Sequence, residues 1–517
     1  MRAGATADVP GETAATTAAE ATRGAKPGYG LVVVANRLPV DLVDSVGGSM
    51  EWRTSPGGLV SALKPVMQRS DGAWVGWSGS AGEAPAPFDV EGMHLVGVPL
   101  SGDEVEDFYE GFSNTTLWPL YHDVIAPPQF HRPWWNSYLR VNERFAAAAA
   151  VQASPGGTVW VHDYQLQLVP AMLRSARPDL RIGFFNHIPF PGYELFAQLP
   201  WRRQVVEGLL GADLVGFQRR ADATNFLRAC RRSAGLQTRG ATVWLTESSG
   251  SRSQDQYTAA DRRAAGALPE GRAVRVAAFP ISIDYHEFGE LARRPDVQAR
   301  AQSIRAELGD PETVLLGVDR LDYTKGILNR LSAYEELLDI GLLGPPHSVL
   351  VQVASPSRER VERYRVLREE VEGTVGRING QHATLGQSAV YYLNHSYPRE
   401  EMAALYLAAD VLLVTSLRDG MNLVAKEYVA CRHDETGALV LSEFTGAADE
   451  LGSAFLVNPH DIEGLKDTVL RAVAVTPRES RRRMRSMRKR VRNYDVNRWA
   501  AAFLDALGSA PPTSLAK

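Results

Sequence analysis

The stretch VTSLRDGMNLVAKEYVACR, residues 414–432, opens as the end of an apolar strand and closes as a helix. Between the two lie Arg418, Asp419, Gly420 and Asn422, a polar mouth on an otherwise buried strand. Gly420 lets the backbone approach a ligand closely or take a positive φ. A helix starting near Asn422 offers unpaired N–H groups and the positive end of its dipole. Together they make an anion site suited to a diphosphate. Glu427 follows roughly 7–8 Å further along the helix axis, the reach from a phosphate to an attached ribose. Lys426 is turned about 100° away from Glu427 and reads as a surface residue. Taken alone, the stretch is equally a capped helix after a strand.

The same strand-then-helix unit recurs along the chain. One series of apolar runs covers Leu31–Ala35, Ala73–Trp77, Met93–Pro99, Thr158–His162, Ile182–Asn186, Leu214–Phe217 and Val274–Phe279. A second covers Thr313–Val318, Ser348–Ala354, Val390–Leu393, Val411–Thr415, Ala438–Leu441 and Phe455–Val457. Runs apolar at successive positions are strands buried on both faces. Helical patterns lie between them, among them Pro191–Leu210, Ala221–Ala234, Gly326–Leu338 and Arg399–Ala409. This alternation predicts α/β architecture: two doubly wound, Rossmann-like domains with parallel sheets and right-handed crossovers, joined near PISID, residues 280–284. Such sheets bind ligands beyond the carboxyl ends of their strands, so two of them face to face put the site in the cleft between them.

The composition fits that reading. The 517 residues are 44% hydrophobic, with 56 Lys and Arg against 60 Asp and Glu, a net charge of -4. There is no basic excess for a nucleic-acid partner. The two cysteines, Cys230 and Cys431, make no ligand-spaced pair, which argues against a disulfide framework or a zinc site and fits a reducing cytoplasm. No apolar run is long enough for a membrane span. Residues 1–28, rich in Ala, Thr and Gly, lack a signal-peptide core and read as a flexible tail. The basic run Arg478–Arg492 reads as a solvated helix face.

Further candidates sit where strands end. In GVDRLDYTKGI, residues 317–327, Arg320 and Lys325 stand five apart on one loop, and two cations converging on a diphosphate stabilise a leaving group. LVVVANRLPV, residues 31–40, delivers Arg37 where a dinucleotide enzyme carries GxGxxG, which suits a phosphate on the substrate. SPGGLVSAL puts Gly57 and Gly58 at a helix start. VHDYQLQLVP and FFNHIPFPGYELF place His162, Asp163 and His187 at strand ends, where Asp caps and structural His are also common. Trp77, Tyr109 and Trp118 are core or the aromatic wall of a sugar site, and Arg358 in ASPSRERVERY adds a cation.

With VVVANRLPV, PGGLVSAL, WVGWSG, FSNTTLWPLYH, YLRVN, RIGFFNHIPFP, DLVGFQ, VDRLDYTKGI, GRING and LRDGMNLVAKEYVA in order, residues 29 to 508 closely resemble the trehalose-6-phosphate synthases, retaining glycosyltransferases of the two-Rossmann-domain GT-B type, family 20. The resemblance implies transfer of glucose from a nucleotide-glucose, UDP- or GDP-linked, to glucose 6-phosphate. It implies an acceptor domain at 29–282, a nucleotide-sugar domain at 283–485, a helix at 486–508 packing back on the first domain, and a tail at 509–517. On the donor side it implies Gly58, Arg320, Lys325, Asp419, Gly420, Met421, Asn422, Leu423 and Glu427, with base recognition near Tyr397. On the acceptor side it implies Arg37, Trp77, Tyr109, Trp118, Asp163 and Arg358. Arg320, Lys325, Asp163 and His187 would carry the chemistry. No cofactor, metal, nucleic acid or membrane is expected, and a homo-oligomer is compatible. Attack from the face the diphosphate leaves is favoured, since no residue is obviously placed as a carboxylate nucleophile. Three features depart from the pattern or bound it: a longish loop between Arg37 and Gly57, Thr324 where serine is often found, and no DxDxT phosphatase signature. A sister enzyme with another phosphorylated polyol or cyclitol acceptor, and a silent sugar-phosphate sensor, are the rival readings.

Overall fold

The structure is a computed structural model that describes residues 28–44, 50–54, 58–70, 72–245 and 271–509. Gly57 and nearly all of both expected tails lie outside the described residues.

The first half contributes β1 (Tyr29–Arg37), β2 (Val40–Asp44), β3 (Met50–Thr54), β4 (Ala73–Trp77), β5 (Phe88–Val90), β6 (Met93–Gly97), β7 (Ala153–His162), β8 (Arg181–Phe185), β9 (Leu214–Phe217), β10 (Gln237–Arg239), β11 (Thr242–Trp244) and β12 (Ala273–Ala278). All but β2 and β3 join one sheet, in the order β10-β11-β12-β9-β8-β7-β1-β4-β6-β5. The seven strands from β12 to β6 are parallel, with antiparallel edges at β10–β11 and β5. The second half contributes β13 (Thr313–Arg320), β14 (Ser348–Ser355), β15 (Val390–Leu393), β16 (Val411–Val414), β17 (Ala438–Ser442) and β18 (Phe455–Val457). They form an all-parallel sheet in the order β15-β14-β13-β16-β17-β18. Central strands such as β4, β9 and β16 are buried along their whole length, which is why they are continuous apolar runs.

Each sheet reverses its strand order at its centre. β1 lies between β4 and β7, and β13 between β14 and β16. Helices leaving these strands in opposite directions part at the reversal and leave a crevice beyond the carboxyl ends.

Four local expectations change. The loop after Arg37 contains an antiparallel hairpin, β2 with β3, because Val40, Leu42 and Trp52 alternate with polar residues and favour pairing. Pro191–Leu210 is not one helix but Tyr193–Phe196 and Arg202–Leu209, since Pro200 lacks an N–H and disfavours helical geometry at Leu199. The span 486–508 is likewise two helices: Pro477–Asn493 ends at Tyr494, and Asp495 caps Val496–Gly508 by accepting the Arg498 N–H at 3.0 Å. Lys426 is buried rather than on the surface. Its helix, Leu423–Cys431, runs under the crossover between the lobes, so Nζ donates to the Ile281 carbonyl at 2.7 Å and pairs with Glu450 at 2.5 Å.

The terminal helix Val496–Gly508 closes the first sheet. Phe503 stacks on Trp160 with ring centroids 4.5 Å apart, and Trp499 Nε1 donates to the Phe279 carbonyl. Gly183 and Gly216 on β8 and β9 make room: a Cβ on either would come within 2.7 Å of the Phe503 ring. Cys230 and Cys431 are both buried thiols. Among the described residues no helix is long and apolar enough to cross a membrane.

Candidate active site between two facing sheets

The two reversal points face each other across the interlobe cleft. From the first lobe, β1 ends in Arg37, β7 runs into Asp163, and β8 is followed by His187. Asp163 takes a left-handed φ of 74°, an unusual conformation for a residue with a side chain, and its carboxylate accepts the His187 N–H at 3.1 Å. His187 Nε2 meets His162 Nδ1 at 3.0 Å. Burial lowers His187 to about 3 and His162 well below its usual range, so both rings are neutral near pH 7 and one donates to the other. Burial pushes the Asp163 carboxyl up to about 6, against the opposing pull of Arg320 and Arg358.

Tyr109 and Trp118 come from the wide-wound π-helix Val105–Leu117 and its continuation. The hydroxyls of Ser113 and Thr115 donate to carbonyls five residues back, and the Trp118 N–H bonds to Ser113. The widening turns both aromatics into the cleft, a use of π-segments that recurs at functional sites. Trp77 packs on Tyr109 at 5.4 Å, and Arg37 lies over the Trp77 ring at 5.2 Å.

The second lobe answers with cations. Arg320 ends β13, and the turn Tyr323–Lys325 brings Lys325 Nζ to 2.6 Å from Asp419 Oδ2. Burial alone would raise the Asp419 carboxyl, but Lys325 holds it below the ordinary range. Arg358 follows β14 with φ 51°, its guanidinium 3.8 Å from the Trp118 ring centre, while Arg320 lies 5.4 Å from the same ring. Asn422, at φ 108°, caps the next helix by accepting the Ala425 N–H at 3.0 Å.

Arg37, Tyr109, Trp118, Asp163, His187, Arg320, Arg358 and Asp419 line one cavity of about 570 Å³. Lys325 reaches it through Asp419, and Trp77 backs Tyr109. Gly58 is the first residue of the helix Gly58–Ser70, whose Val60 lines the same wall. Met421, Leu423 and Glu427 stand behind Asp419, Met421 in the loop and the other two on the helix; Glu427 accepts the Tyr406 hydroxyl at 2.8 Å, and burial raises its carboxyl. Tyr397 lies apart, after the edge strand β15, packed on His395 at 4.3 Å. Gly420 does not take a positive φ. It lets its loop touch the first lobe, where a Cβ would stand 2.3 Å from the His187 carbonyl oxygen. The lobes are also tied by Arg219 to Asp449 at 2.7 and 2.8 Å, and by Arg418 to Asp123 and Asp222.

A larger cavity of about 850 Å³ opens beside this one. Its wall carries Glu106, Asp107, Glu110 and Glu362 against Arg360 and Arg363, a poor match for phosphate groups, so the smaller cavity is the candidate site. Among the described residues no group of three or more His, Cys, Asp or Glu could hold a metal ion. Participants not singled out by sequence reading include Tyr164, which lines the cavity and accepts from Arg358 at 3.2 Å, and Asp322 and Tyr364 beneath it. Asp322 alone left a trace, an Asp-Tyr-Thr turn between Arg320 and Lys325.

Two parallel sheets that meet reversal point to reversal point over a cleft lined with cations define a two-lobed, GT-B glycosyltransferase. The chain belongs to glycosyltransferase family 20, whose pattern matches residues 29–509. It is 55% identical over 492 residues to the trehalose-6-phosphate synthase of Mycolicibacterium vanbaalenii, covering 94% of this chain and 97% of that one. An Escherichia coli trehalose-6-phosphate enzyme bound to UDP-2-fluoro glucose superposes with a TM-score of 0.81 at 33% identity, over 93% of this chain and 99% of that one. A UDP-forming alpha,alpha-trehalose-phosphate synthase from Burkholderia xenovorans in complex with glucose 6-phosphate gives 0.80 at 32% identity, over 93% and 100%.

Proposed function

We propose that the chain transfers glucose, with retention, from UDP-glucose to glucose 6-phosphate, releasing UDP and α,α-trehalose 6-phosphate. The observation that carries this is the single cavity in which Arg37 of one lobe and Arg320 and Arg358 of the other converge beside Asp163 and Asp419. A sugar phosphate and a sugar diphosphate each need fixed cations, and a hexose needs carboxylates and an aromatic wall. The relatives bound to glucose 6-phosphate and to a fluorinated UDP-glucose favour these two substrates over the alternatives.

In this reading Arg37 and Arg358 hold the acceptor phosphate, with Trp77, Tyr109, Trp118 and Asp163 shaping the pocket around the acceptor ring. Arg320 and Lys325 grip the donor diphosphate beside Gly58 and the helix after Asn422; Glu427 takes the ribose hydroxyls and Asp419 the glucose hydroxyls. The acceptor anomeric oxygen bonds to the donor anomeric carbon from the face the diphosphate leaves. The bond from that carbon to the phosphate oxygen breaks, and the acceptor proton passes to a diphosphate oxygen. Negative charge grows on the diphosphate as it departs. A unit charge about 4 Å away at an effective dielectric of about 20 contributes about 4 kcal/mol, so fixed cations are the main electrostatic aid available. Neutral His187, its main-chain N–H held by Asp163, lends a polar face to the donor glucose without competing for the phosphates. The acceptor lobe is then residues 29–282 and the donor lobe 283–485, in the reducing compartment that two buried thiols suit.

The test is purified protein with glucose 6-phosphate and a panel of UDP-, GDP- and ADP-glucose, following nucleoside diphosphate release and the anomeric signals of the product. Acceptor-dependent UDP release with an α,α-linked disaccharide phosphate is expected. Nucleotide release that ignores glucose 6-phosphate would overturn the assignment.

A further inference from the structure

Asp322 is completely buried beneath the candidate site, and its two carboxylate oxygens face different ways. Oδ1 faces the donor side. It accepts the Thr324 N–H at 3.0 Å and the Thr324 hydroxyl at 2.9 Å, closing the turn that carries Lys325. Oδ2 faces the acceptor side. It accepts Arg358 Nη1 at 2.9 Å and the Tyr364 hydroxyl at 3.1 Å, while that hydroxyl also contacts Arg358. Arg358 is the strained member of the set. Its backbone sits at φ 51°, where a long side chain is uncommon, and its own side chain is only 6% exposed. A buried guanidinium on a strained backbone needs fixed acceptors to keep one orientation; beside the Trp118 ring face and the hydroxyls of Tyr164, at 3.2 Å, and Tyr364, Asp322 is its one charged acceptor at hydrogen-bond distance among the described residues.

We propose that Asp322 is a positioning residue for the acceptor phosphate: through Oδ2 it aims the Arg358 guanidinium across the lobe boundary, while Oδ1 independently holds the donor-side turn. The proposal rests on reading Arg358 as an acceptor-phosphate ligand. Burial alone would raise the Asp322 carboxyl, but Arg358, Arg320 and Lys325 hold it at about 2, so it stays ionised in the working range.

The two-sided geometry supplies a selective variant. In Asp322→Asn the amide oxygen can still accept from Thr324, but an NH2 group now faces Arg358 and cannot accept its proton. KM for glucose 6-phosphate should rise by about tenfold or more, the scale of a misaimed ligand, approaching that of Arg358→Ala. The dissociation constant for UDP, read by calorimetry, should stay within about threefold, since the donor-side contacts remain. Tyr364→Phe, which keeps the carboxylate and removes one hydroxyl, should give a smaller rise in the same KM, and it carries the test if the Asn variant does not fold. An unchanged KM for glucose 6-phosphate in the folded variants would overturn the proposal. So would a KM rise matched by an equal loss of UDP affinity, which would mark Asp322 as general scaffold. A wild-type chain with no glucose 6-phosphate-dependent UDP release would instead refute the functional assignment, whatever the variants do.

Discussion

Lys325→Ala tests the donor side most directly. The ammonium lies 2.6 Å from Asp419, with the two side chains only 10% and 15% exposed, so little water screens it. On the proposed reading, removing it deletes one unit of positive charge facing the departing diphosphate. At about 4 Å and an effective dielectric of about 20 that charge is worth about 4 kcal/mol. Two corrections oppose each other: in the unliganded enzyme part of the field is already spent on Asp419, while in the variant Asp419 stands without its cation and repels the leaving group. A net loss of about 3–4 kcal/mol at the transition state corresponds to a fall of about 10²- to 10³-fold in kcat. The assay is continuous UDP release at saturating donor and acceptor, with a melting curve to verify folding. KM for glucose 6-phosphate should move by less than about threefold, because the lysine faces the donor. Turnover within about fivefold of wild type in a folded variant would refute the electrostatic role and the diphosphate grip together.

Three further perturbations follow from the geometry. Gly420→Ala puts a Cβ 2.3 Å from the His187 carbonyl, so the lobes must part; kcat should fall at least about tenfold with little change in UDP affinity, and normal turnover would show that this contact is not needed for closure. Arg418→Ala removes the cation facing the fully buried Asp222, whose carboxyl burial pushes up to about 6 even with Arg418 lowering it; losing the cation raises it further, so stability should drop by up to about 3–5 kcal/mol at alkaline pH, with the deficit shrinking as pH falls toward 6 and the variant takes up the proton first, and levelling off below 6 where both proteins hold it, checked by melting temperature across pH. Asp163→Asn should stabilise the unliganded protein. The raised native value of about 6 means that the unfolded chain loses this proton first, so stability is full below about pH 4 and is lost as pH rises through 6. The variant should therefore melt higher above pH 6, by at most about 3 kcal/mol and less to the extent that water enters the open cavity, and show no advantage near pH 4.

The strands of both sheets were legible because a parallel strand covered on both faces must be apolar at nearly every position. The residues at their carboxyl ends were legible as candidates because doubly wound sheets present ligand groups there. That logic picked out Arg37, Asp163, His187, Arg320, Arg358 and Asp419, which the fold brings to one cavity. It missed the break at Pro200 and the β2–β3 hairpin, where local turn and pairing chemistry outweigh an averaged pattern. It misplaced Lys426, whose surroundings come from Ile281 and Glu450, and did not foresee the constraint on Gly420 from a carbonyl of the other lobe. Asp322 and Tyr364 carry no periodic signal, since their contacts with Arg358 and with each other join residues 36 and 42 positions apart along the chain or six apart on a turn.

The chain order of hydrophobic runs, punctuated by charged residues at strand ends, determined by itself that two doubly wound lobes would form and which side chains each would present. Whether those side chains meet depended on where the lobes sit, and that was decided by contacts between residues far apart in sequence: Gly420 on His187, Arg219 on Asp449, Lys426 on Ile281, and the terminal helix on the first sheet. The physical reason is range. Burial periodicity is written into neighbouring residues, whereas the field that aims a guanidinium or shifts a carboxyl arises from charges a few ångströms away in space, and only the folded chain sets those distances.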